Sequence, residues 1–308
     1  MPSHGSLPRV RRAVLDWYAA EHRDFPWRVT RDPFAVLVSE VMLQQTQASR
    51  VAERFPRFLE RFPTAGALAA ASDAEVLAEW SGLGYNRRAI ALKRTAERVA
   101  AAGWPSTVAE LERLPGIGPY TARALASLAF GQPVGVVDTN VRRWLVRRFG
   151  LDPSGADGAQ RALQALADAL AGASAGPPTG DEAAAWTHAS MELGGAVCRS
   201  RRPRCDACPV AVGCPSRGRA PAVPVPRQAS FAGSSRAWRG AILRVVAAAP
   251  DHELSCTSLA VQLVAGDTTP FAAALAGLER ERLVHRRGPM LRLGASDEAP
   301  GAPATIGR

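Results

Sequence analysis

Apolar residues recur mostly at helical spacing from residue 10 to about residue 212, and the breaks between segments fall at proline and glycine. One such helix begins at Asp32 and Pro33, which suit the N-cap and the first helical position. Glu40 lies about 60° beyond the edge of its apolar face, so we expect a partly desolvated carboxyl between core and solvent. That face consists of Phe34, Leu37, Val38, Val41 and Met42.

The pattern changes after residue 215. Residues 216–233 contain three prolines and predict an extended linker. Helical spacing returns through Trp238, Ile242, Val245 and Val246, and continues in residues 257–264 and 270–283, before a predicted hairpin at residues 285–293. Three helices followed by a basic hairpin resemble a winged helix over residues 234–294. Residues 295–308 are rich in Gly, Pro and Ala, and we expect a disordered tail.

Length and composition limit the classes of function that the chain can have. The chain has 308 residues, enough for about two domains, and a formal net charge of +10. This excess indicates a polyanionic partner such as nucleic acid. No apolar run approaches the roughly 20 residues that span a bilayer, and residues 1–12 lack the apolar core of a signal peptide, so we expect a cytoplasmic protein with no membrane partner.

Four of the five cysteines lie within 17 residues, in the pattern Cys-x6-Cys-x2-Cys-x5-Cys. Disulfides are the competing interpretation, but they suit small secreted chains. Structural zinc sites usually combine two short knuckles, whereas here one short pair is flanked by longer arms. The spacing therefore favours an iron-sulfur cluster over zinc, without excluding zinc. The four candidate ligands are Cys198, Cys205, Cys208 and Cys214.

Two other segments are candidates for a function: a glycine-containing turn that could bind a phosphate, and an aspartate at the start of a predicted helix. Residues 114–120 read Leu-Pro-Gly-Ile-Gly-Pro-Tyr between two predicted helices, and exposed amides of Gly116 and Gly118 could bind a phosphate, although a plain interhelical turn would also use glycine. Asp138 follows an apolar run and opens the next helix. It is either a helix cap or a carboxylate held beside bound DNA, where it could stabilise a sugar cation.

Taken together, these segments resemble the helix-hairpin-helix DNA glycosylases of the endonuclease III superfamily, and within it the MutY adenine glycosylases. The resemblance covers residues 10–214 and implies four-iron four-sulfur ligation by the four cysteines. It is carried by Phe25-Pro26-Trp27-Arg28, Ser39-Glu40-Val41-Met42-Leu43-Gln44-Gln45-Thr46-Gln47, Gly82-Leu83-Gly84-Tyr85, the hairpin through Tyr120, Val137-Asp138-Thr139-Asn140-Val141, Met191-Glu192-Leu193-Gly194 and the cysteines.

The resemblance implies an all-α helix-hairpin-helix glycosylase fold over residues 1–215, followed by the winged-helix-like domain. Within the first part it implies a six-helix lobe of about residues 33–140 and a cluster lobe of about residues 1–32 and 141–215. Glu40 becomes the general acid that protonates the flipped base, and Asp138 the carboxylate that stabilises or captures the sugar cation. Asn140 orients Asp138, and Tyr120 stands where bifunctional relatives carry a nucleophilic lysine.

The implied partner is double-stranded DNA with a mismatch or an oxidised base, bound by a monomer in the cytoplasm, at the nucleoid if the source is bacterial. Removal of adenine mispaired with 8-oxoguanine or guanine would initiate base excision repair. The expected DNA contacts lie in several motifs: Arg28, Gln45, Thr46, Leu83, Tyr85, Gly116, Gly118 and His188.

Three departures from the family keep other functions open. Asn86 replaces an aromatic residue, Thr187 and His188 replace Asn-Gln, and the C-terminal segment does not resemble the family's Nudix-like domain. His188 could contact the extruded base or simply pack on its helix. The alternatives are therefore a glycosylase for another base, such as thymine in a T:G mismatch or hypoxanthine, and a non-catalytic DNA-binding regulator. A lyase is disfavoured because Lys93 is the chain's single lysine.

Overall fold

The computed structural model describes residues 7–154, 156–173, 180–219, 221–223, 231, 233–264 and 268–295, and these are mostly helical. The helices of the first half are α1 (Leu7–Glu21), α2 (Pro33–Leu43), α3 (Ala48–Arg61), α4 (Ala65–Ala70), α5 (Asp73–Glu79), α6 (Arg87–Ala102), α7 (Val108–Leu111) and α8 (Pro119–Leu128). They are followed by α9 (Thr139–Phe149), α10 (Asp157–Ala171), α11 (Gly180–Glu192), α12 (Ser235–Ala248), α13 (Cys256–Leu263) and α14 (Thr269–Arg280). The strands are β1 (Glu253–Ser255), β2 (Val284–Arg287) and β3 (Met290–Leu293).

The chain divides into two compact units. Residues 1–56 and 103–227 form unit 1, and residues 57–102 and 228–308 form unit 2. Residues 57–102 thus group with the C-terminal segment. The segmentation predicted from sequence, with lobes at about 33–140 and at about 1–32 with 141–215, remains a prediction about folding domains.

One apolar core of unit 1 lies among α1, α9, α10 and α11. Its fully buried members include Val14, Leu170, Ala189 and Leu193, and Trp144 of α9 packs edge-on against Trp186 of α11. The same core includes Val197 and Val210, and Cys198 and Cys208 pack against it. The segment that carries the cysteines therefore sits directly on a rigid apolar base.

Helix α2 begins as predicted, because the side chain of Asp32 accepts a hydrogen bond from the amide of Ala35 and Pro33 occupies the first turn. The prediction of a single buried face was wrong. Every residue from 34 to 42 is buried, since α8 and the short 3-10 turn Pro26–Arg28 pack against the helix. Glu40, expected at the border of the core, is only 4% exposed.

In unit 2, α6 packs against α4 and α5. The C-terminal part contains α12, α13 and α14 with an antiparallel sheet in the order β1-β3-β2, which is a winged-helix arrangement. The predicted hairpin is confirmed as β2 and β3. Strand β1 was not predicted from sequence, because three residues after a short helical turn are too few to establish an alternating pattern.

Parts of the predicted linker and tail lie outside the described residues, namely positions 220, 224–230, 232 and 296–308. Within the described ranges, no helix is both long and apolar enough to cross a bilayer.

We expect Asp32→Ala to lower the free energy of unfolding by about 1 kcal/mol, because the amide of Ala35 loses its acceptor at the start of α2. Asp32→Asn keeps a carbonyl acceptor and should retain most of this stability. Urea unfolding followed by far-ultraviolet circular dichroism compares the two variants. Equal losses in both would contradict the capping role.

Candidate active site and cysteine loop

The centre of the candidate site is a buried carboxyl from α2. Glu40 lies where α2 packs against α8, and the hydroxyl of Tyr120, in the first turn of α8, donates a hydrogen bond to its carboxyl group. The residues of α2 around Glu40 are apolar except Ser39, whose hydroxyl donates a hydrogen bond to the Val36 carbonyl. Glu40 is therefore a desolvated acid with a phenol beside it.

Asp138 is the N-cap of α9. Its Oδ1 accepts a hydrogen bond of 2.6 Å from the amide of Val141, and its Oδ2 accepts one of 2.8 Å from the side chain of Asn140. The helix-cap interpretation of the sequence is thus correct, and it does not exclude a chemical role. The N–H groups and dipole at the start of α9 favour a negative charge on this carboxyl.

The two carboxyls interact electrostatically. Burial raises the pKa of Glu40 from 4.5 to about 7, the hydrogen bond from Tyr120 opposes this shift, and the charge of Asp138 adds to it. Burial also raises the pKa of Asp138, against the hydrogen bonds from Val141 and Asn140. Burial, followed by the charges of both carboxyls, raises the pKa of Tyr120 well above its usual value. The site thus combines an acid that keeps its proton up to about pH 7 with a second carboxyl whose oxygens accept hydrogen bonds.

Arg143 supports the Asp138 segment from α9. Its guanidinium donates to the side-chain oxygen of Asn140 at 2.9 Å, to the carbonyl of Cys198 at 2.7 Å, and to the carbonyl of Gly194. Gly194 packs so closely that a Cβ there would lie 2.4 Å from the Asn140 carbonyl oxygen. Neither supporting role was predicted from sequence, because an arginine in a basic helix and a glycine after a helix carry no local signal of these distant contacts.

The predicted phosphate-binding hairpin is exposed as its sequence suggested. Gly116 has a φ of 73°, in the left-handed region that glycine adopts without strain, and Gly118 is the N-cap of α8 ahead of Pro119. Gly116 and Gly118 are exposed, whereas Ile117 between them is 6% exposed. Burial of this one side chain fixes the turn and leaves the glycine backbone at the surface.

Arg28, a predicted DNA contact, is mostly buried in the protein without DNA. Its side chain is 10% exposed, and it donates to Oε2 of Glu192 at 2.6 Å. Arg23 donates to Oε1 of the same carboxylate at 2.5 Å.

His188, one turn before Glu192 on α11, is 9% exposed, and its pKa is lowered to about 3, first by burial and then by the charges of Arg28 and Arg31. His188 is therefore a neutral imidazole.

The remaining predicted DNA contacts divide between the two units. Gln45 and Thr46 follow α2 in unit 1, and Gln45 has a φ of 57°. Leu83 and Tyr85 belong to unit 2, where Leu83 is 4% exposed and Tyr85 is 39% exposed. A wedge role for Leu83 would thus need this buried side chain to leave its packing.

The four clustered cysteines line one cavity of about 350 Å3, solvent-filled mouth included. Arg147 of α9, only 3% exposed, braces the loop: its guanidinium donates to the carbonyls of Arg199 at 2.7 Å, Ser200 at 2.8 Å and Pro221 at 3.1 Å. It also lies 3.7 Å from the sulfur of Cys198. The loop exposes four further arginines, Arg199, Arg201, Arg202 and Arg204.

These thiols supply four soft sulfur donors around one cavity. Such a donor set suits an iron-sulfur cluster, and four thiolates also form one kind of structural zinc site.

Comparison with known proteins gives consistent matches. Residues 38–169 match the family described as HhH-GPD superfamily base excision DNA repair protein. The chain is 41% identical to the adenine DNA glycosylase of Mycobacterium tuberculosis, over 89% of each chain.

Two solved structures have similar folds. A thermostable thymine-DNA glycosylase has a TM-score of 0.61 and 28% identity, covering 68% of this chain and 96% of that one. An endonuclease III–DNA covalent intermediate has a TM-score of 0.55 and 23% identity, covering 70% and 97%.

The buried carboxyl of Glu40 predicts a pH-dependent stability. Between pH 4.5 and 7 the unfolded chain releases this proton while the folded protein keeps it, so the free energy of unfolding falls as pH rises, by on the order of 3 kcal/mol. Glu40→Gln removes this loss. Relative to the unsubstituted protein, the variant should gain stability between pH 5 and pH 8 in urea unfolding.

The exposed Glu21→Gln is the matched control for the same chemical change on a helix surface. A stability difference between Glu40→Gln and the unsubstituted protein that stays constant over this range would show that the Glu40 pKa is not raised.

Proposed function

The chain belongs to the adenine DNA glycosylases of the helix-hairpin-helix superfamily of base excision repair proteins, and from this premise we propose that it removes adenine mispaired with 8-oxoguanine or guanine. The observation that carries the proposal is the buried Glu40, hydrogen-bonded by Tyr120 and within electrostatic reach of Asp138. Two carboxyls in different environments are what cleavage of an N-glycosidic bond requires.

Glu40 acts as the general acid. A carboxyl with a pKa of about 7 is about half protonated at neutral pH, and the protonated form can transfer its proton to the leaving base. A protonated base leaves as a neutral molecule, which lowers the barrier to bond cleavage. The Tyr120 hydroxyl supports this role because its hydrogen bond holds the carboxyl in one orientation.

Asp138 stabilises the positive charge that develops on the sugar as the base leaves. The amide of Val141 and the side chain of Asn140 orient its oxygens and disperse their charge, and Arg143 holds Asn140 in turn. A fixed anion beside an oxocarbenium-like sugar lowers the transition state without reorganisation. Asn140 and Arg143 act here as positioning residues.

The reaction is monofunctional, so it leaves an abasic site. Lys93, the single lysine, is ion-paired with Asp73 at 3.3 Å and Glu97 at 2.5 Å. Burial lowers the pKa of its ammonium group, but the bonds to these two carboxylates outweigh that effect and raise the pKa. A protonated, paired ammonium is a poor Schiff-base nucleophile.

The DNA contacts follow from the exposed groups of the site. The backbone amides of Gly116 and Gly118 bind a backbone phosphate, and the arginines of the cysteine loop bind others. The target base must leave the stack to reach Glu40. Gln45 and Thr46 wedge into the duplex from unit 1. In unit 2, Tyr85, together with Leu83 once it leaves its packing, touches the base opposite the target. We propose a monomer acting on chromosomal DNA in the cytoplasm.

The cysteines Cys198, Cys205, Cys208 and Cys214 hold a four-iron four-sulfur cluster, which would supply a rigid anchor for the arginine-bearing loop. Arg147 and Arg143 bond the carbonyls of this loop from α9, the helix that also begins at Asp138. We assign the cluster no redox step in base removal.

A second candidate is removal of thymine from T:G mismatches. The similarity to a thymine-DNA glycosylase structure favours it. The uncharged His188 does not distinguish the two candidates. A neutral imidazole can donate one hydrogen bond and accept another, and so can contact either base. The two candidates use Glu40 and Asp138 in the same roles and differ only in the base that is released.

We expect the protein to release adenine from duplexes that carry it opposite 8-oxoguanine or guanine, and to leave thymine opposite guanine and hypoxanthine intact. Single-turnover assays on this panel measure the products. Glu40→Gln and Asp138→Asn should each slow adenine release by about a hundredfold or more. Borohydride should trap no covalent adduct.

Glu21→Gln is again the control and should release adenine at the unsubstituted rate. Thymine release without adenine release would replace the first candidate by the second. Unchanged base release in both carboxyl variants would remove the enzymatic proposal altogether.

For the cysteine loop we expect about four iron and four sulfide ions per chain, with visible charge-transfer absorption. Replacing any of the four cysteines by alanine should lower the iron content and the absorption, whereas Cys256→Ala should leave both unchanged. Elemental analysis that finds zinc and no iron would contradict the assignment.

A further inference from the structure

The loop that carries Tyr85 is conformationally unusual. Gly82, Gly84 and Tyr85 all have positive φ values, of 92°, 72° and 49°. Tyr85 therefore adopts a backbone conformation that aromatic residues rarely adopt, and its side chain is 39% exposed. Strained backbone that presents an exposed aromatic residue is common at functional sites, where the surrounding structure must hold the strain in place.

Two neighbouring residues of unit 2 hold the loop backbone. The indole of Trp80 donates to the carbonyl of Gly84 at 3.2 Å, and the guanidinium of Arg88 donates to the same carbonyl at 2.9 Å and to that of Leu83 at 3.3 Å. The Arg88 guanidinium also lies over the rings of Trp80 and Tyr85, 5.5 and 5.4 Å from their centroids. These contacts fix the backbone and one face of the Tyr85 ring.

The tip of the Tyr85 side chain is held from a different part of the chain. The Nη1 of Arg236 donates a hydrogen bond of 2.9 Å to the Tyr85 hydroxyl. Arg236 stands 151 residues away, in the first turn of α12, at the start of the winged-helix-like domain. This bond therefore links that domain directly to the loop.

The rest of the winged-helix-like domain is fixed to the same region of unit 2. Both α12 and β3 pack against α5, the helix that ends just before Trp80. Gly294, after β3, approaches so closely that a Cβ there would lie 3.1 Å from the Cβ of Asp73. The position of Arg236 relative to the loop is thus set by the packing of α12 and β3 against α5.

One contact braces the domain internally: Arg286 of β2 is paired with Glu279 of α14 at 2.5 Å. The exposed residues of α14 include Ala272 and Ala273, which cannot hydrogen-bond a base, and Thr269 and Arg280, which can. The bond from Arg236 to Tyr85 is a contribution of the domain that does not depend on whether α14 touches DNA.

We propose that Arg236 is a positioning residue: it orients the Tyr85 phenol, and through this bond the winged-helix-like domain sets how strongly the protein discriminates the base opposite its target. The inference rests on the proposed function in so far as Tyr85 meets that base. It assigns to the domain a part in recognition that does not require the domain itself to touch DNA.

The test measures binding in the Glu40→Gln background, so that no base is released. Fluorescence anisotropy gives the affinity for a duplex with adenine opposite 8-oxoguanine and for one with adenine opposite thymine, and the ratio of the two is the discrimination. Arg236→Ala and Tyr85→Phe should each lower this ratio about five- to tenfold. The double variant should lower it no further, because both substitutions remove the same bond.

Two arginines of α12 are matched controls. Arg239→Ala removes a side chain that pairs with Glu281 at 2.6 Å, and Arg244→Ala removes an exposed charge. Both should keep the ratio within twofold. The inference is overturned if Arg236→Ala behaves like these controls, or if the double variant shows the product of the single effects.

Tyr85→Phe keeps the ring and removes only the hydroxyl, so it tests the inference even if Arg236→Ala does not fold. A normal ratio in folded Tyr85→Phe protein overturns it. A ratio near one already in the Glu40→Gln background would mean that the proposed recognition of 8-oxoguanine fails, whereas a high ratio that Tyr85→Phe leaves unchanged overturns only this inference.

Discussion

The burial of one carboxyl group, that of Glu40, is the constraint on which the site depends. Helix α2 is buried on all sides, and its packing against α8 removes Glu40 from water while bringing the Tyr120 hydroxyl to it. Desolvation raises the pKa of this acid to about 7, which makes a proton available at neutral pH. A more exposed α2 would leave an ordinary ionised glutamate.

Helix α9 connects this chemistry to the cysteine loop. It begins at Asp138, whose hydrogen bonds come from its own first turn, and the next two turns supply Arg143 and Arg147. Their guanidiniums bond carbonyls of the cysteine segment, so one helix positions both the carboxylate and the loop. The loop therefore has a structural reason to influence the site that requires no electron transfer.

Helix positions, caps and motifs were largely predictable from sequence. The Asp32 cap, the hairpin glycines, the Asp138 cap and the three C-terminal helices all follow from local rules about backbone hydrogen bonds and periodicity. Contacts between distant segments were not predictable from sequence. They include the bonds of Arg143 and Arg147 to the cysteine segment, the close approach of Gly194 to Asn140 and the Arg236–Tyr85 bond. No spacing along the chain indicates which carbonyl a long arginine side chain will reach.

The sequence by itself determined which chemical groups the protein possesses: two acids in recognisable motifs, four clustered thiols, one lysine and a large excess of arginine. Only the tertiary structure decided their states. It turned an expected border position of Glu40 into full burial, made His188 neutral and enclosed Arg28 in a pair with Glu192. The physical reason is that protonation and accessibility depend on how much water the packed neighbours exclude, and this is a property of the assembled fold.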